Sequence, residues 1–253
     1  MEQKNDYNIN SLIRSLNILE YLVDNGEVSI LEMSNSFGMG KSTVHRILGT
    51  FKTMGYVDQN KENNKYYATL KIFELGNKVA NRIPLKKIVR PYLEELFEKC
   101  HETVNFAIVD KNEVVFLDKI ITAEPLRIEL EVGKRVPVHC SALGKAFIAF
   151  KRDLDISQLK LTKINNNTID SAEKLMSNLE EIRRNGYALD DGEYIEGLIC
   201  IAVPIKDQLN NAIAVISIAT PAVRMEEEKK QIYVRLLQET ALRISMHSGF
   251  VSN

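Results

Sequence analysis

Cysteine is scarce in this chain: Cys100, Cys140 and Cys200 are the only three among 253 residues. An odd number without C-x-x-C spacing supplies neither a disulfide framework nor a cysteine-based zinc site. Long apolar runs are missing as well. The longest, such as Ala212 to Ala219, fall far short of the ~20 residues needed to cross a bilayer. The N-terminal MEQKNDYNIN is polar and has no apolar signal core, so the expectation is a cytoplasmic protein without a membrane partner. Net charge is almost absent, with 33 Lys and Arg against 34 Asp and Glu. Internal repeats and low-complexity tracts are also lacking. What remains is ordinary globular composition, 45% hydrophobic and 26% charged, which suits one large or two modest domains, each with its own core.

Along the first third of the chain the apolar period is helical. Leu12, Ile13, Leu16, Leu19, Leu22 and Val23 share a face over residues 8 to 25, and Asp24-Asn25-Gly26 supplies a stop. Ser29 and Glu32 have capping-box spacing, in which each side chain satisfies the other's free backbone N–H, and a short helix from Ile30 to Phe37 follows. Gly38-Met39-Gly40 breaks it. Val44, Ile47, Leu48, Phe51 and Met54 then recur at helical intervals up to Gly55. Two helices around a three-residue glycine turn make a helix-turn-helix. Tyr56-Val57 and Tyr66-Tyr67-Ala68 read as two short strands around a polar turn, a hairpin that would form a wing.

A further helical pattern from Lys71 to Arg90 runs into Pro84 and reads as a linker, with a second domain opening near Pro91. The expected division is therefore 1–70, 71–90 and 91–253. The remainder mixes both periods. Strands are expected over Val104–Val109, Val114–Ile120 and Ile128–Val132, and a hairpin over Ile199–Ile205 and Ala212–Ala219. Helices are expected around Leu93, over Ala142–Phe150 and Ser171–Asn185, and from Met225 to Met246. The fold class is α/β with two domains.

Gly38-Met39-Gly40-Lys41-Ser42-Thr43 invites a phosphate-loop reading but fails on spacing. The motif needs a glycine where Asn35 stands and a buried strand where an amphipathic helix leads in. The better reading is a turn that delivers Lys41, Ser42 and Thr43 to a helix start, where free N–H groups and the dipole favour a DNA phosphate. The third helix then leaves Lys41, Ser42, Thr43, His45, Arg46, Thr50, Lys52 and Thr53 opposite its apolar face. Those side chains suit base edges and phosphates, although periodicity alone allows a merely solvated face. Charge distribution favours the first reading. Residues 1 to 80 balance nine bases with nine acids, whereas Gly38 to Lys71 holds six bases, including Lys61 and Lys65 of the wing, against two acids.

Catalytic readings find less support. His139, Cys140 and Ser141 are neighbours, but no Gly-x-Ser-x-Gly elbow surrounds them, and on an extended strand His139 and Cys140 would point to opposite faces. His101 and His247 are isolated. Asp190-Asp191-Gly192-Glu193 could ligate a metal, yet acid-rich turns are usually just solvated. Cys200 lies in an apolar run and defaults to a small core residue. Neither a metal nor a cofactor is expected.

Several ordered blocks carry a resemblance. Ser15-Leu16-Asn17-Ile18-Leu19-Glu20, the run Lys41 to Leu48, and Gly55-Tyr56-Val57 resemble the winged helix-turn-helix of IclR-family transcriptional regulators. Val136 to Ala146, Ile182 to Glu193 and Gly197 to Ile205 resemble successive blocks of that family's effector domain. Gly40 and Ala219-Thr220-Pro221 depart from it, the family often having proline at the first position, which implies altered local turns within the same fold. The resemblance implies a winged-helix DNA reader, a linker helix and a GAF-like α/β effector-binding domain, assembled as a homodimer or a dimer of dimers. It further implies a non-enzymatic, ligand-responsive repressor of a catabolic operon. Its partners would be operator DNA and a small hydroxy, keto, sugar or aromatic acid. By block position Ala142, Leu143, Asp190, Leu198, Cys200 and Ser217 would line the effector pocket. The rival readings are a small-molecule enzyme with an N-terminal helical oligomerisation module, and a DNA-binding architectural protein without an effector.

Overall fold

The computed structural model describes residues 8–127, 130–152 and 155–247. The chain divides into two compact units between Arg82 and Ile83. In the first, α1 (Asn10–Asn25), α2 (Ile30–Phe37) and α3 (Lys41–Thr53) precede the hairpin strands β1 (Val57–Gln59) and β2 (Tyr66–Ala68), followed by α4 (Leu70–Ala80). The capping box forms as its spacing requires: the Glu32 N–H donates to Ser29 Oγ at 3.2 Å and the Ser29 N–H to Glu32 Oε2 at 2.7 Å. Gly38 ends α2 at φ +59°, a left-handed conformation that only glycine adopts at no cost. Ile18, Leu22, Met33, Val44, Leu48, Val57 and Tyr66 close a small core beneath the helices. Val28 exchanges two backbone hydrogen bonds with Tyr66, which adds an isolated bridge to the three-pair ladder of the wing.

Gly40 precedes α3 at φ −62°, close to the angle proline would impose. The departure from the family pattern thus leaves the turn's φ at this position as proline would set it, contrary to the expectation above.

The second unit is a sheet with helices on both faces. Its six strands are β3 (Thr103–Asp110), β4 (Glu113–Ile120), β5 (Arg135–Pro137), β6 (Ala188–Asp191), β7 (Leu198–Lys206) and β8 (Ala212–Pro221). They lie in the order β5-β4-β3-β8-β7-β6 with every pair antiparallel. One face packs on α5 (Pro84–Cys100) and α8 (Glu227–His247), through Val104, Phe106, Ile201, Val203, Ile216 and Ile218. The other packs on α6 (Ala142–Ala149) and α7 (Ala172–Asn185), through Ala107, Val114, Ala202 and Val215. The alternation along each strand therefore feeds two separate cores.

Four expectations change. The helix anticipated over 71–90 is two helices, because Pro84 occupies the first turn of α5, where its missing N–H costs nothing. The second unit accordingly starts at Ile83, which packs into its core, and α5 runs through Pro91. Of the strand expected over 128–132, Ile128 and Glu129 lie outside the described residues, and Leu130 to Val132 form no strand. His139 and Cys140 are not on a strand: β5 ends at Pro137 and Val138–Cys140 form a 3₁₀ turn. The short strands β5 and β6 were not anticipated.

The start of α6 sits directly on that turn. A methyl group at Gly144 would overlap the Cα and carbonyl of Val138, and backbone cannot yield as a flexible side chain would. Gly144→Ala is expected to destabilise the second unit by roughly 1–3 kcal/mol or more, read as a lower urea midpoint. Gly49→Ala in α3, with open space around it, is expected to be neutral or better.

Candidate functional site

Two surfaces collect the residues singled out in the sequence. On the first unit, Lys41, Ser42, Thr43, His45 and Arg46 are all exposed on the opening turns of α3. No side chain caps this helix, so the first N–H groups stay available to an acceptor. Lys41, Ser42, His45 and Arg46 line one open cleft with Gln59 and Asn64 of the wing. Glu27 fixes the wing turn by accepting hydrogen bonds from Asn60 Nδ2 at 2.9 Å and Asn63 Nδ2 at 2.7 Å. Lys61 is exposed on that turn.

The positive excess over Gly38 to Lys71 is narrower than the sequence suggested. Lys52 pairs with Asp58 at 2.9 Å, Lys65 approaches Glu32 at 4.0 Å, and Lys71 donates to the Met54 carbonyl at 2.5 Å. Such exposed pairs contribute little stability, but with Lys71 held by a carbonyl they leave Lys41, Arg46 and Lys61 as the bases of this stretch with neither an ion pair nor a side-chain hydrogen bond among the described residues.

On the second unit, Ala142, Leu143, Asp190, Leu198, Cys200 and Ser217 surround one narrow cavity of about 40 Å³. Its floor follows from strand register. Asp190 pairs with Cys200, Cys200 with Ala219 and Ala219 with Thr103, a row across four strands. Ser217 pairs with Asn105 in the next row on the same face, and Asn105 Nδ2 donates to Ser217 Oγ at 3.2 Å. Small side chains at Cys200, Ser217 and Ala219 leave the space. Its roof includes the start of α6, where Ser141 Oγ accepts the Gly144 N–H at 3.1 Å and donates to the Pro137 carbonyl at 3.3 Å. The serine hydroxyl is therefore occupied as a cap, and Ala142 and Leu143 are the N–H groups that helix geometry leaves open.

Asp190 is 3% exposed. Burial raises its carboxyl to about 7, the hydrogen bond from the Glu193 N–H (2.7 Å) acting in the opposite direction. Beside it, Lys145 is 1% exposed and donates to Glu193 Oε1, while Glu193 Oε2 is buried without a hydrogen-bond partner among the described residues. Burial also pushes the Cys140 thiol up to about 12, with Asp190 and Glu193 adding to the shift. The Cys200 thiol is raised likewise, by burial and then by Asp190, so neither cysteine is an activated nucleophile. His139 is buried with Nε2 3.0 Å from the Thr162 carbonyl. Among the described residues no group of three or more His, Cys, Asp or Glu could hold a metal, and no helix is long and apolar enough to cross a membrane.

Thr103, Asn105, Phe116, Leu130, Val136 and Tyr194 also line the cavity and were missed. A signal existed for two of them: Thr103 and Asn105 are polar at alternate positions of an otherwise apolar strand.

Comparison with known proteins gives a consistent result. Residues 11–61 match the family model described as IclR helix-turn-helix domain, and residues 77–246 the model described as bacterial transcriptional regulator IclR C-terminal. The HTH-type transcriptional regulator KdgR of Dickeya chrysanthemi is 36% identical over 96% of this chain and 81% of its own length. The crystal structure of the Thermotoga maritima IclR is similar with a TM-score of 0.82 and 29% identity, covering 96% of this chain and 100% of that one. An IclR homolog from Microbacterium hydrocarbonoxydans, complexed with 4-hydroxybenzoate, has a TM-score of 0.77 and 25% identity, covering 93% of this chain and 98% of its own.

The raised Asp190 carboxyl has a thermodynamic signature. Between its unfolded value of 3.8 and about 7, the native state keeps a proton that the unfolded chain has released. Stability attributable to this group therefore falls as pH rises through that window, by up to about 1.4 kcal/mol per pH unit. Asp190→Asn, whose carbonyl can still accept the Glu193 N–H, is expected to flatten the decline between about pH 4 and pH 7. Parallel urea-stability profiles for the two proteins would contradict the assignment.

Proposed function

The chain belongs to the IclR family of transcriptional regulators, DNA-binding proteins and not enzymes, and on that premise we propose that it is a ligand-responsive repressor of a catabolic operon. The α3 face and the wing hold operator DNA, and the cavity of the second unit holds a small organic acid. The observation that carries the DNA reading is the cleft in which Lys41, Ser42, His45 and Arg46 meet the wing, open and without competing acidic partners. Thr43 belongs to the same opening turns of α3, while Lys61 and Lys65 on the wing suit phosphates, which carry no sequence information. For the effector, the open N–H groups of Ala142 and Leu143 suit a carboxylate. Phe116, Val136 and Leu198 give an apolar wall, and Asp190, Asn105 and Ser217 offer partners for a hydroxyl or keto group. That the Microbacterium homolog was solved with an aromatic hydroxy acid supports the same ligand class here.

Assembly as a homodimer or dimer of dimers completes the proposal. One recognition helix reads only a few base pairs, and a second half-site lies about 34 Å along the duplex. In α4 no residue is buried, and Leu70, Phe73, Leu75 and Val79 are exposed. An isolated helix of this length is marginal in water, so a second copy of the chain is the cover these side chains call for. Further along the segment expected as linker, Ile83 packs into the core of the second unit and Arg90 is paired with Glu94 and Asp118, so neither serves that contact.

Three outcomes are expected. Arg46→Ala should cost roughly 1–3 kcal/mol in operator affinity, whereas Lys61→Ala should weaken all sequences alike and lower the salt slope by about one. Gel retardation at matched salt distinguishes these; undiminished operator binding by Arg46→Ala would refute the α3 reading. Phe73→Asp combined with Val79→Asp should shift sedimentation to monomer and abolish the preference for a full palindrome over a half-site. Turnover of small acids by the purified protein, with no promoter retardation, would favour the enzyme reading instead.

A further inference from the structure

The effector cavity holds a buried acid in the chamber that the reading above assigns to a carboxylate. Asp190 forms no ion pair among the described residues. Lys145, the cation that acts on it, is bonded to Glu193, and the other titratable groups around the pair are Glu193, Asp191, Cys140, Cys200 and His139. Of these, only Lys145 and His139 can carry positive charge. Lys145 is spent on Glu193, and the His139 ring is bonded to the Thr162 carbonyl. Two carboxylates confined together in this narrow cavity, with no cation of their own, cannot both stay ionised.

We propose that the cavity takes its ligand as a monocarboxylate together with one proton, which comes from solvent and resides on Asp190. This rests on the effector reading and specifies its chemistry. The anion enters, Asp190 gains a proton on the oxygen that does not accept the Glu193 N–H, and the net charge of the complex stays that of the free protein. The protonated carboxyl then donates a hydrogen bond to the ligand instead of repelling it. Burial already holds the Asp190 carboxyl at about 7, so the proton is within reach near neutral pH. A dicarboxylate would bring a second charge for which no second carboxyl lines the cavity to take a proton.

The test is calorimetric titration of the full chain with 4-hydroxybenzoate, lactate and gluconate, and with their uncharged amides. Each is run in two buffers of different ionisation enthalpy at about pH 6 and pH 8.5. For whichever acids bind, close to one proton should be taken up per ligand at the higher pH and close to none at the lower. Affinity should fall about tenfold per pH unit above neutrality. Amides should bind without that pH dependence. Asp190→Asn should bind the acids with no proton uptake and with affinity independent of pH, overtaking wild type at high pH; its melting curve, taken alongside, shows that it is folded. An acid that binds wild type at pH 8.5 with no proton uptake would overturn the proposal while leaving the effector reading intact. Failure of every acid to bind at either pH would overturn both.

Discussion

A strand buried on both faces must divide its side chains between two layers, and the second unit is organised by how β8 does so. Ala214, Ile216 and Ile218 face α5 and α8, while Val215 faces α6 and α7 and Ser217 and Ala219 face the cavity. Alternation alone would have filled both sides equally. Instead the large residues go to one face, and the other becomes small where it passes beneath the start of α6. Because β3 and β7 are held in register with β8 over most of their length, Thr103, Asn105 and Cys200 fall on the same small-residue face without any loop having to place them. The cavity is thus a property of the sheet, and the helix that roofs it can approach only as closely as Gly144 and the Val138 turn permit.

Electrostatics ties that roof to the floor. Every residue of α6 is buried, Lys145 included, and a lysine so placed needs a partner to offset its lost hydration. Glu193 provides it from the turn after β6, and the same residue's N–H holds Asp190. Thr168 donates to the Glu193 carbonyl at 2.7 Å and Asn165 to the Gly192 carbonyl at 2.8 Å. The acid-rich turn that reads as a solvated loop in the sequence is therefore largely buried and bonded, with only Asp191 exposed, and Asp190 is its one acidic residue that lines the cavity.

The parts of the molecule that were legible in sequence are those whose causes are local. The capping box at Ser29 and Glu32, the left-handed Gly38 and the apolar period of α3 each act within a few residues, so the helix-turn-helix could be read without knowing what it packs against. Where the cause was distant the reading failed. Pro84 looks the same whether it ends one helix or starts another, and only the packing of Ile83 and Leu85 into the second core decides. Strands β5 and β6 are three and four residues long and are held by their neighbours, not by pattern. Lys52 and Lys65 seemed free because Asp58 and Glu32 approach them through the fold. Asn105 stands out in the sequence as polar on an apolar strand, but only register shows its partner, Ser217, far along the chain.

The arrangement of the floor bears on how such a protein changes over evolutionary time. Cys200, Ser217 and Ala219 stand on strands whose opposite faces and backbone pairing carry the fold, so their side chains are decoupled from what keeps the unit folded. Adding or removing a methyl group at any of them reshapes the chamber while the six-strand register, the α5 and α8 layer and the α3 face stay as they are. Ligand choice can therefore drift in small steps among compounds of similar charge but different girth, whereas a change in ligand charge needs a substitution at Asp190 or its turn, whose backbone and side chains are tied to α6 and to one another. Diversification should run along shape before it runs along charge.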